Sequence, residues 1–226
     1  MVLNDQFCVE KAKAVIEAGM QSPHVRYSIL ILEEALGRYN GNEIILSFNG
    51  GKDCTAVLHL AASVFLLRGI DSMTCLYVTG DPFPEVDDFV EKASQYYNLN
   101  VIRKNKPIKT ALTALLNENK TLKAGLMGVR RGDPGSEKLQ PFQLTDSNWP
   151  HLTRISPILD WTYRNVWDFL LEHQVPYCSL YDRGYTSLGE RSKTFPNPLL
   201  QIPNSPSSYR PAYSLIDDST ERNGRG

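Results

Sequence analysis

The chain has 226 residues, of which 42% are hydrophobic, 10% aromatic and 22% charged, the profile of a globular protein with one sizeable core and not of a disordered segment. Its 24 Lys plus Arg and 25 Asp plus Glu leave a formal charge of -1, so there is no basic excess to draw it to nucleic acid or anionic membrane. Any phosphate must be met by locally placed charge and backbone amides.

In chain order, the spacing of Ile29, Leu30, Leu32 and Leu36 predicts a helix over 25–39 that stops at Asn40-Gly41. EIILSF (43–48) reads as a buried strand, broken by Asn49-Gly50-Gly51, and a helical pattern resumes over 53–67. MTCLYVT (73–79) is a second strand, followed by a turn and an amphipathic helix over 81–97. A weaker strand over 100–103, a helix over 108–116 and a strand over 123–129 continue the alternation. Strands alternating with helices of that length predict an α/β domain with a mainly parallel sheet and flanking helices. The pattern stops at Arg130. From there to Arg154 the chain is rich in Gly, Pro, Asp and Ser and reads as a long loop or insertion of the functional kind. A last helix is predicted over 162–173, with Val166, Phe169 and Leu170 on one side. Beyond the domain over 1–195, five prolines punctuate a polar, irregular tail over 196–226 that wraps over the domain or hangs free.

The 4 cysteines (Cys8, Cys54, Cys75, Cys178) and 4 histidines form no C-x-x-C or H-x-x-H pair. Zinc and disulfide frameworks are thus not expected, and an oxygen-ligated Mg²⁺ is the metal to look for. Residues 1–15 mix acids and bases, and no run of about 20 apolar residues occurs. A cytoplasmic protein without a membrane partner is the expectation.

The most informative stretch is SFNGGKDCT (47–55), between a predicted strand and a predicted helix. Two glycines allow a tight turn whose N–H groups approach a phosphate, and the helix behind it points its positive end at the same place. Lys52 adds a cation. Asp53 follows Lys52 where a Walker loop requires Ser or Thr, and no G-x-G-x-x-G occurs, so neither of those loops is present. Arg130, Arg131 and Asp133 follow a predicted strand, at the sheet edge where open α/β sheets bind ligands, although adjacent arginines are more often a solvated surface pair. Asp146, Asn148, Trp149, Pro150 and Arg154 combine an aromatic plane, polar edges and a cation. A loop-anchoring Trp would look the same.

These residues carry a resemblance. NGGKDC resembles the PP-loop, S-G-G-x-D-S in its usual form, of the ATP pyrophosphatase and PAPS reductase group, with Asn49 and Cys54 in place of its serines. With LMGVRRGDP (126–134), TDSNWP (145–150), RISPILDWTYRNVWDFLL (154–171) and PYCSLYDRGYTSLG (176–189), the chain from about residue 23 onward resembles the eukaryotic FAD synthases, which are FMN adenylyltransferases. The resemblance implies an adenine nucleotide alpha hydrolase-like, Rossmann-like fold that joins MgATP and FMN to give FAD and pyrophosphate. The molybdopterin-binding-like domain of some members has no counterpart, which implies a single-domain form or a trimmed chain.

It further implies ATP contacts at Asn49, Gly50, Gly51, Lys52, Asp53, Cys54, Thr55, Val78, Val129 and Arg130. Flavin contacts are implied at Asp146, Asn148, Trp149, Pro150, Arg154, Asp160 and Trp161. The C-terminal E-R-x-x-R adds Arg222 and Arg225, otherwise a frayed polar end. Asn49, Asp53, Asp133, Arg222 and Arg225 are the implied catalytic set, with Mg²⁺ at Asp53 or Asp133. The expected partners are the small molecules ATP and FMN, and a monomer is expected. Two alternatives stand beside this reading: a sulfur-pathway member of the group, of PAPS reductase or sulfurylase type, which as a reductase needs a nucleophilic cysteine in a mobile C-terminal segment, where the last cysteine is Cys178, and a flavin- or nucleotide-binding protein without turnover.

Overall fold

The computed structural model describes residues 6–226. Six helices, α1 (Val9–Gln21), α2 (Pro23–Arg38), α3 (Lys52–Leu67), α4 (Pro84–Tyr96), α5 (Ile108–Glu118) and α6 (Tyr163–Glu172), flank one six-stranded sheet. Its strands are β1 (Ile44–Ser47), β2 (Met73–Val78), β3 (Leu99–Lys104), β4 (Ala124–Leu126), β5 (Phe142–Leu144) and β6 (Thr153–Ile155). They lie in the order β3-β2-β1-β4-β6-β5, parallel throughout except for β5 on β6. The α/β architecture with a mainly parallel sheet is therefore as expected.

Strand alternation sorts the core into two unequal layers. Ile44, Leu46, Phe48, Cys75 and Tyr77 face the layer built by α1, α2, α3, α4 and α6, while Ile45 and Leu76 face Leu112 and Leu115 of α5. Helix α3 runs through the larger layer, with every residue from Cys54 to Phe65 buried. Each fully buried Leu or Phe of this kind contributes about 1.5–3 kcal/mol. Helix α6 starts at a reciprocal cap: Thr162 Oγ1 accepts the Asn165 N–H at 3.1 Å and Asn165 Oδ1 accepts the Thr162 N–H at 3.0 Å.

One expectation is corrected and one helix is added. The segment 130–154 is not a plain loop, because β5 and β6 extend the sheet beyond β4, with Leu126 opposite Ile155 and Ile155 opposite Phe142. Strands of three residues set among Gly, Pro and Asp are too short to show a period, and pairing with β4 creates them. A helix not read from the sequence, α1, packs on α2 and α3 through the small residues Ala12, Val15 and Gly19.

The tail lies on the domain and does not hang free. It contains a hairpin of β7 (Gln201–Ile202) and β8 (Ser205–Tyr209), and it buries Leu200, Ala212 and Leu215. Tyr163 donates to the Ala212 carbonyl at 2.8 Å, and the Phe195 N–H donates to the Gly224 carbonyl at 2.8 Å.

The chain leaves β1 outward through β2 and β3, then returns to β4 on the other side of β1. That reversal opens a crevice at the carboxyl ends of β1 and β4, the place where open α/β sheets hold ligands. The segments after β1 and after β4 meet there.

Candidate active site

At the crevice the turn from β1 into α3 is held by its own side chains. Gly50 has φ +73 and packs under α4, where a Cβ would meet Val86 Cγ1 at 3.1 Å, so the turn requires glycine. Asn49 Oδ1 accepts the Gly51 N–H at 3.0 Å and the Cys54 S–H at 2.9 Å, and Thr55 Oγ1 donates to the Gly51 carbonyl at 2.8 Å. The Lys52 N–H donates to the Tyr181 hydroxyl at 2.7 Å. Two amides expected to face a phosphate thus already have protein acceptors. Burial pushes the Cys54 thiol up to about 12, so it stays neutral and serves the turn as a hydrogen-bond donor.

The cationic grip is made by side chains from three separate segments. Lys52 and Arg130, 1% and 6% exposed, come from α3 and from the loop after β4. Lys52 Nζ lies 3.0 Å from Asp53 Oδ2 and 5.1 Å from the centre of the Tyr163 ring, and Arg130 Nε lies 2.7 Å from Asp53 Oδ1. Glu221, from the tail, bridges the same two cations, one carboxylate oxygen on Lys52 Nζ and the other on Arg130 Nη2. Burial alone would raise the Asp53 carboxyl, yet the Lys52 and Arg130 charges hold it below the ordinary carboxylate range. Burial likewise opposes the Arg130 charge, and Asp53 and Glu221 more than offset it. Two buried cations balanced by two carboxylates form a compact device for receiving an anion in low dielectric.

Two cavities flank this grip. One of about 320 Å³ opens between the sheet and α5, lined by Ser47, Leu76, Leu112, Val129, Trp149 and Arg154 among others. It exists because a single helix covers that face. The other, of about 170 Å³, is lined by Asn49, Tyr77, Val78, Asp81, Leu188 and Gly189 among others. A concave apolar space with a few polar groups at its edge is the usual form of a site for a small planar ligand.

The sequence-derived residues divide by position. Lys52, Asp53 and Arg130 form the grip, Asn49, Val78 and Val129 line its cavities, and Gly50, Gly51, Cys54 and Thr55 build the turn beneath it. Trp149 and Arg154 line the larger cavity, and the Pro150 carbonyl accepts from Thr145 Oγ1 at 2.7 Å to shape its rim. Asp146 and Asn148 stand exposed at that rim, Asp146 Oδ1 being 3.7 Å from Arg154 Nη2. Arg225 Nη1 donates to the Leu188 carbonyl at 2.6 Å, at the edge of the smaller cavity, while Arg222 is exposed.

Others go elsewhere. Trp161 is turned into the core, its Nε1 donating to Ser28 Oγ at 3.0 Å, because it packs against α2 and α6. Asp160 accepts from Arg131 Nε at 2.6 Å on the surface. Asp133 Oδ2 accepts the Arg130 N–H at 2.9 Å and so shapes the loop that carries Arg130. Glu221 and Tyr181 take part in the site although neither is among the implied contacts: Tyr181 lies in a Gly-containing loop that fits a fold-supporting role, and Glu221 opens the E-R-x-x-R motif. Their partners stand 91 to 169 residues away, and the motifs containing them were the only signal.

Among the described residues, no three His, Cys, Asp or Glu side chains gather to hold a metal ion. Asp53 is engaged by two cations and Asp133 Oδ2 by the Arg130 amide, so in this arrangement neither carboxylate stands in a ready-made set of metal ligands. Cys178, which a reductase reading needs as a nucleophile, is buried, and burial pushes its thiol up to about 11. No helix among the described residues is long and apolar enough to cross a membrane.

The α/β sheet, with its glycine turn after β1 and Arg130 on the loop after β4, belongs to the class of the phosphoadenosine phosphosulfate reductase domain, whose model residues 43–120 and 98–196 match. Within that class the chain belongs to the FAD synthase family. It is 43% identical over 216 residues to a probable FAD synthase of Schizosaccharomyces pombe, covering 92% of this chain and 80% of that one. A probable FAD synthase of Caenorhabditis elegans is 41% identical over 86% of this chain, which spans 39% of the worm protein. The crystal structure of Candida glabrata FMN adenylyltransferase in complex with ATP superposes with a TM-score of 0.88 at 28% identity, over 96% of this chain and 95% of that one. The same enzyme has been solved with FMN and the ATP analogue AMPCPP.

Proposed function

We propose that this chain transfers the adenylyl group of ATP to FMN, giving FAD and pyrophosphate. The FMN phosphate oxygen attacks the α-phosphorus of ATP; the new P–O bond forms as the bond to the β-phosphate bridge breaks, and pyrophosphate leaves with that electron pair. The attacking phosphate is already ionised near neutral pH, so the protein has no proton to remove and its task is positioning and charge neutralisation. Lys52 and Arg130 hold the pyrophosphate end of ATP at the start of α3, and Asp53 keeps both cations aimed there. Any Mg²⁺ arrives as the counter-ion carried by the triphosphate, whose oxygens are its favoured ligands.

On this reading the 320 Å³ cavity takes the isoalloxazine, with Trp149 as its flat wall and Arg154 at the polar edge. The smaller cavity by Val78 takes the adenosine end. Arg225 stands beside it, and Arg222, exposed on the neighbouring turn, reaches the incoming phosphate. The organisation of the chain follows: residues 1–195 carry the grip and cavities, and 196–226 bring the tail groups to them. The observation that supports the reading most is the pair of buried cations set between two cavities, an arrangement for two phosphorylated ligands. Incubation with FMN, ATP and Mg²⁺ should give FAD and pyrophosphate in equal amounts by chromatography. Binding of both nucleotides without product would refute it.

A further inference from the structure

The grip is occupied by the protein itself. The Glu221 carboxylate spans Lys52 Nζ and Arg130 Nη2, one oxygen to each, as two oxygens of a phosphate would. Its side chain is 12% exposed, against 2% for Lys52 and 7% for Arg130. The backbone beneath it is pinned: Thr186 Oγ1 donates to the Glu221 carbonyl at 2.6 Å, and Asn197 Nδ2 donates to the Thr220 carbonyl at 2.9 Å. Thr186 and Asn197 are themselves buried, and the segment is tied further by the Phe195 N–H on the Gly224 carbonyl. Among the described residues Glu221 forms ion pairs with Lys52 and Arg130 and with no third cation, while Arg225 donates to the Leu188 carbonyl and Arg131 to Asp160.

From this we infer that Glu221 is a positioning residue that stands in for phosphate in the ligand-free protein and gives the two cations up when ATP arrives. The inference rests on the proposal that Lys52 and Arg130 receive the pyrophosphate end of ATP. Since the backbone on either side is anchored, the exchange is a swing of one side chain and the tail stays docked. Asp53 alone offers one negative charge to two buried cations, and Glu221 supplies the second while the site is empty, which avoids the cost of a net buried charge. It does so at the expense of affinity, because the competent state is only the fraction of molecules in which the carboxylate has moved away.

The test uses pyrophosphate alone, titrated calorimetrically into the ligand-free protein, so that no turnover is involved. If the paired state holds about nine-tenths of the molecules, Glu221→Gln should bind pyrophosphate about tenfold more tightly than the natural chain. The same variant should unfold at a lower temperature, since two cations lose a partner, and should show a lower KM for ATP with the KM for FMN unchanged. A merely structural role would lower stability and weaken anion binding together. Unchanged or weaker pyrophosphate binding by Glu221→Gln overturns the inference, as does failure of both proteins to bind pyrophosphate. Should Glu221→Gln not fold, Glu221→Asp keeps the charge with a shorter reach and should bind pyrophosphate with an intermediate gain; no gain there overturns the inference equally. Absence of FAD formation by the natural chain would instead refute the adenylyltransferase reading, and the two failures are distinguishable.

Discussion

Gly128 stands where the loop after β4 presses against the first turn of α3, and replacing it with alanine should separate the two halves of the grip. A Cβ built there would lie 2.5 Å from the Cys54 amide nitrogen, 2.7 Å from the Cys54 Cα and 2.8 Å from the Asp53 carbonyl carbon. All three are backbone atoms, so no side chain can swing aside. Ordinary contact begins near 3.4 Å, and parting the segments from 2.5 Å to that distance needs about 0.9 Å. Overpacking of this kind costs about 1–3 kcal/mol of stability. The larger effect falls on geometry, because Arg130 sits two residues beyond Gly128 and Lys52 two residues before Cys54. A misplacement near 1 Å between groups that must act on one phosphate costs about a hundredfold in rate. Gly128→Ala should therefore remain folded by circular dichroism but lose about that factor in kcat/KM for ATP, measured as FAD formation. Gly132→Ala, in the same loop with nothing within 4 Å of its Cβ position, is the control and should behave as the natural chain does. A Gly128→Ala enzyme within about threefold of the control would refute the reasoning.

Tyr181→Phe removes the acceptor of the buried Lys52 N–H and should lower stability by about 1–3 kcal/mol in urea unfolding; an unchanged midpoint would show that the amide finds another partner. Arg130→Lys keeps a charge but cannot reach Asp53 and Glu221 together, so kcat/KM for ATP should fall by about 10- to 100-fold in steady-state assays. Trp149→Ala should raise the KM for FMN well above its effect on the KM for ATP, and the reverse pattern would exchange the ligands assigned to the two cavities. His59 is buried against Tyr97, its Nδ1 2.8 Å from the hydroxyl, and burial pushes its pKa down to about 3 from 6.5. Between those values the unfolded chain binds a proton that the folded chain does not, so stability falls as pH drops below 6.5. At 1.36 kcal/mol per pH unit, going from pH 7.5 to pH 5 should cost the natural chain about 2 kcal/mol more than it costs His59→Gln. Parallel stability profiles for the two proteins would refute this.

The parts of the fold that could be read from the chain are those with a long period or a sharp break. EIILSF followed by Asn49-Gly50-Gly51 locates β1 and the phosphate turn because an apolar run, two glycines and a helical pattern come in immediate succession. Helix α5 and strand β2 are found to within a few residues for the same reason. Helix α1 carries its core contacts on Ala12 and Gly19, residues with too little apolar surface to mark a face. β5 and β6 exist only through their pairing. At the site, Lys52 and Arg130 are legible because each sits in a motif beside a strand end. Trp161 misleads, since an aromatic at a strand-to-helix junction fits a ligand wall and a core anchor equally well, and the indole N–H settles on Ser28. Glu221 escapes local reading because its meaning is wholly long-range: an acid in a polar tail looks solvated until the fold brings it onto two cations.

The unequal dressing of the sheet has a thermodynamic consequence. Five helices seal one face, whereas the other has α5 alone and keeps a cavity of about 320 Å³ against Leu76 and Leu112. A planar aromatic ligand seated there becomes the missing part of that second layer, contributing the apolar contacts that protein side chains supply elsewhere. Its departure re-exposes bare sheet to water, at about 25 cal/mol for each Å² uncovered. If the flavin sits in this cavity, as proposed, each turnover ends with the removal of a piece of the protein's own interior, and α5, left with least beneath it, is the element whose amides should exchange soonest once the product has gone.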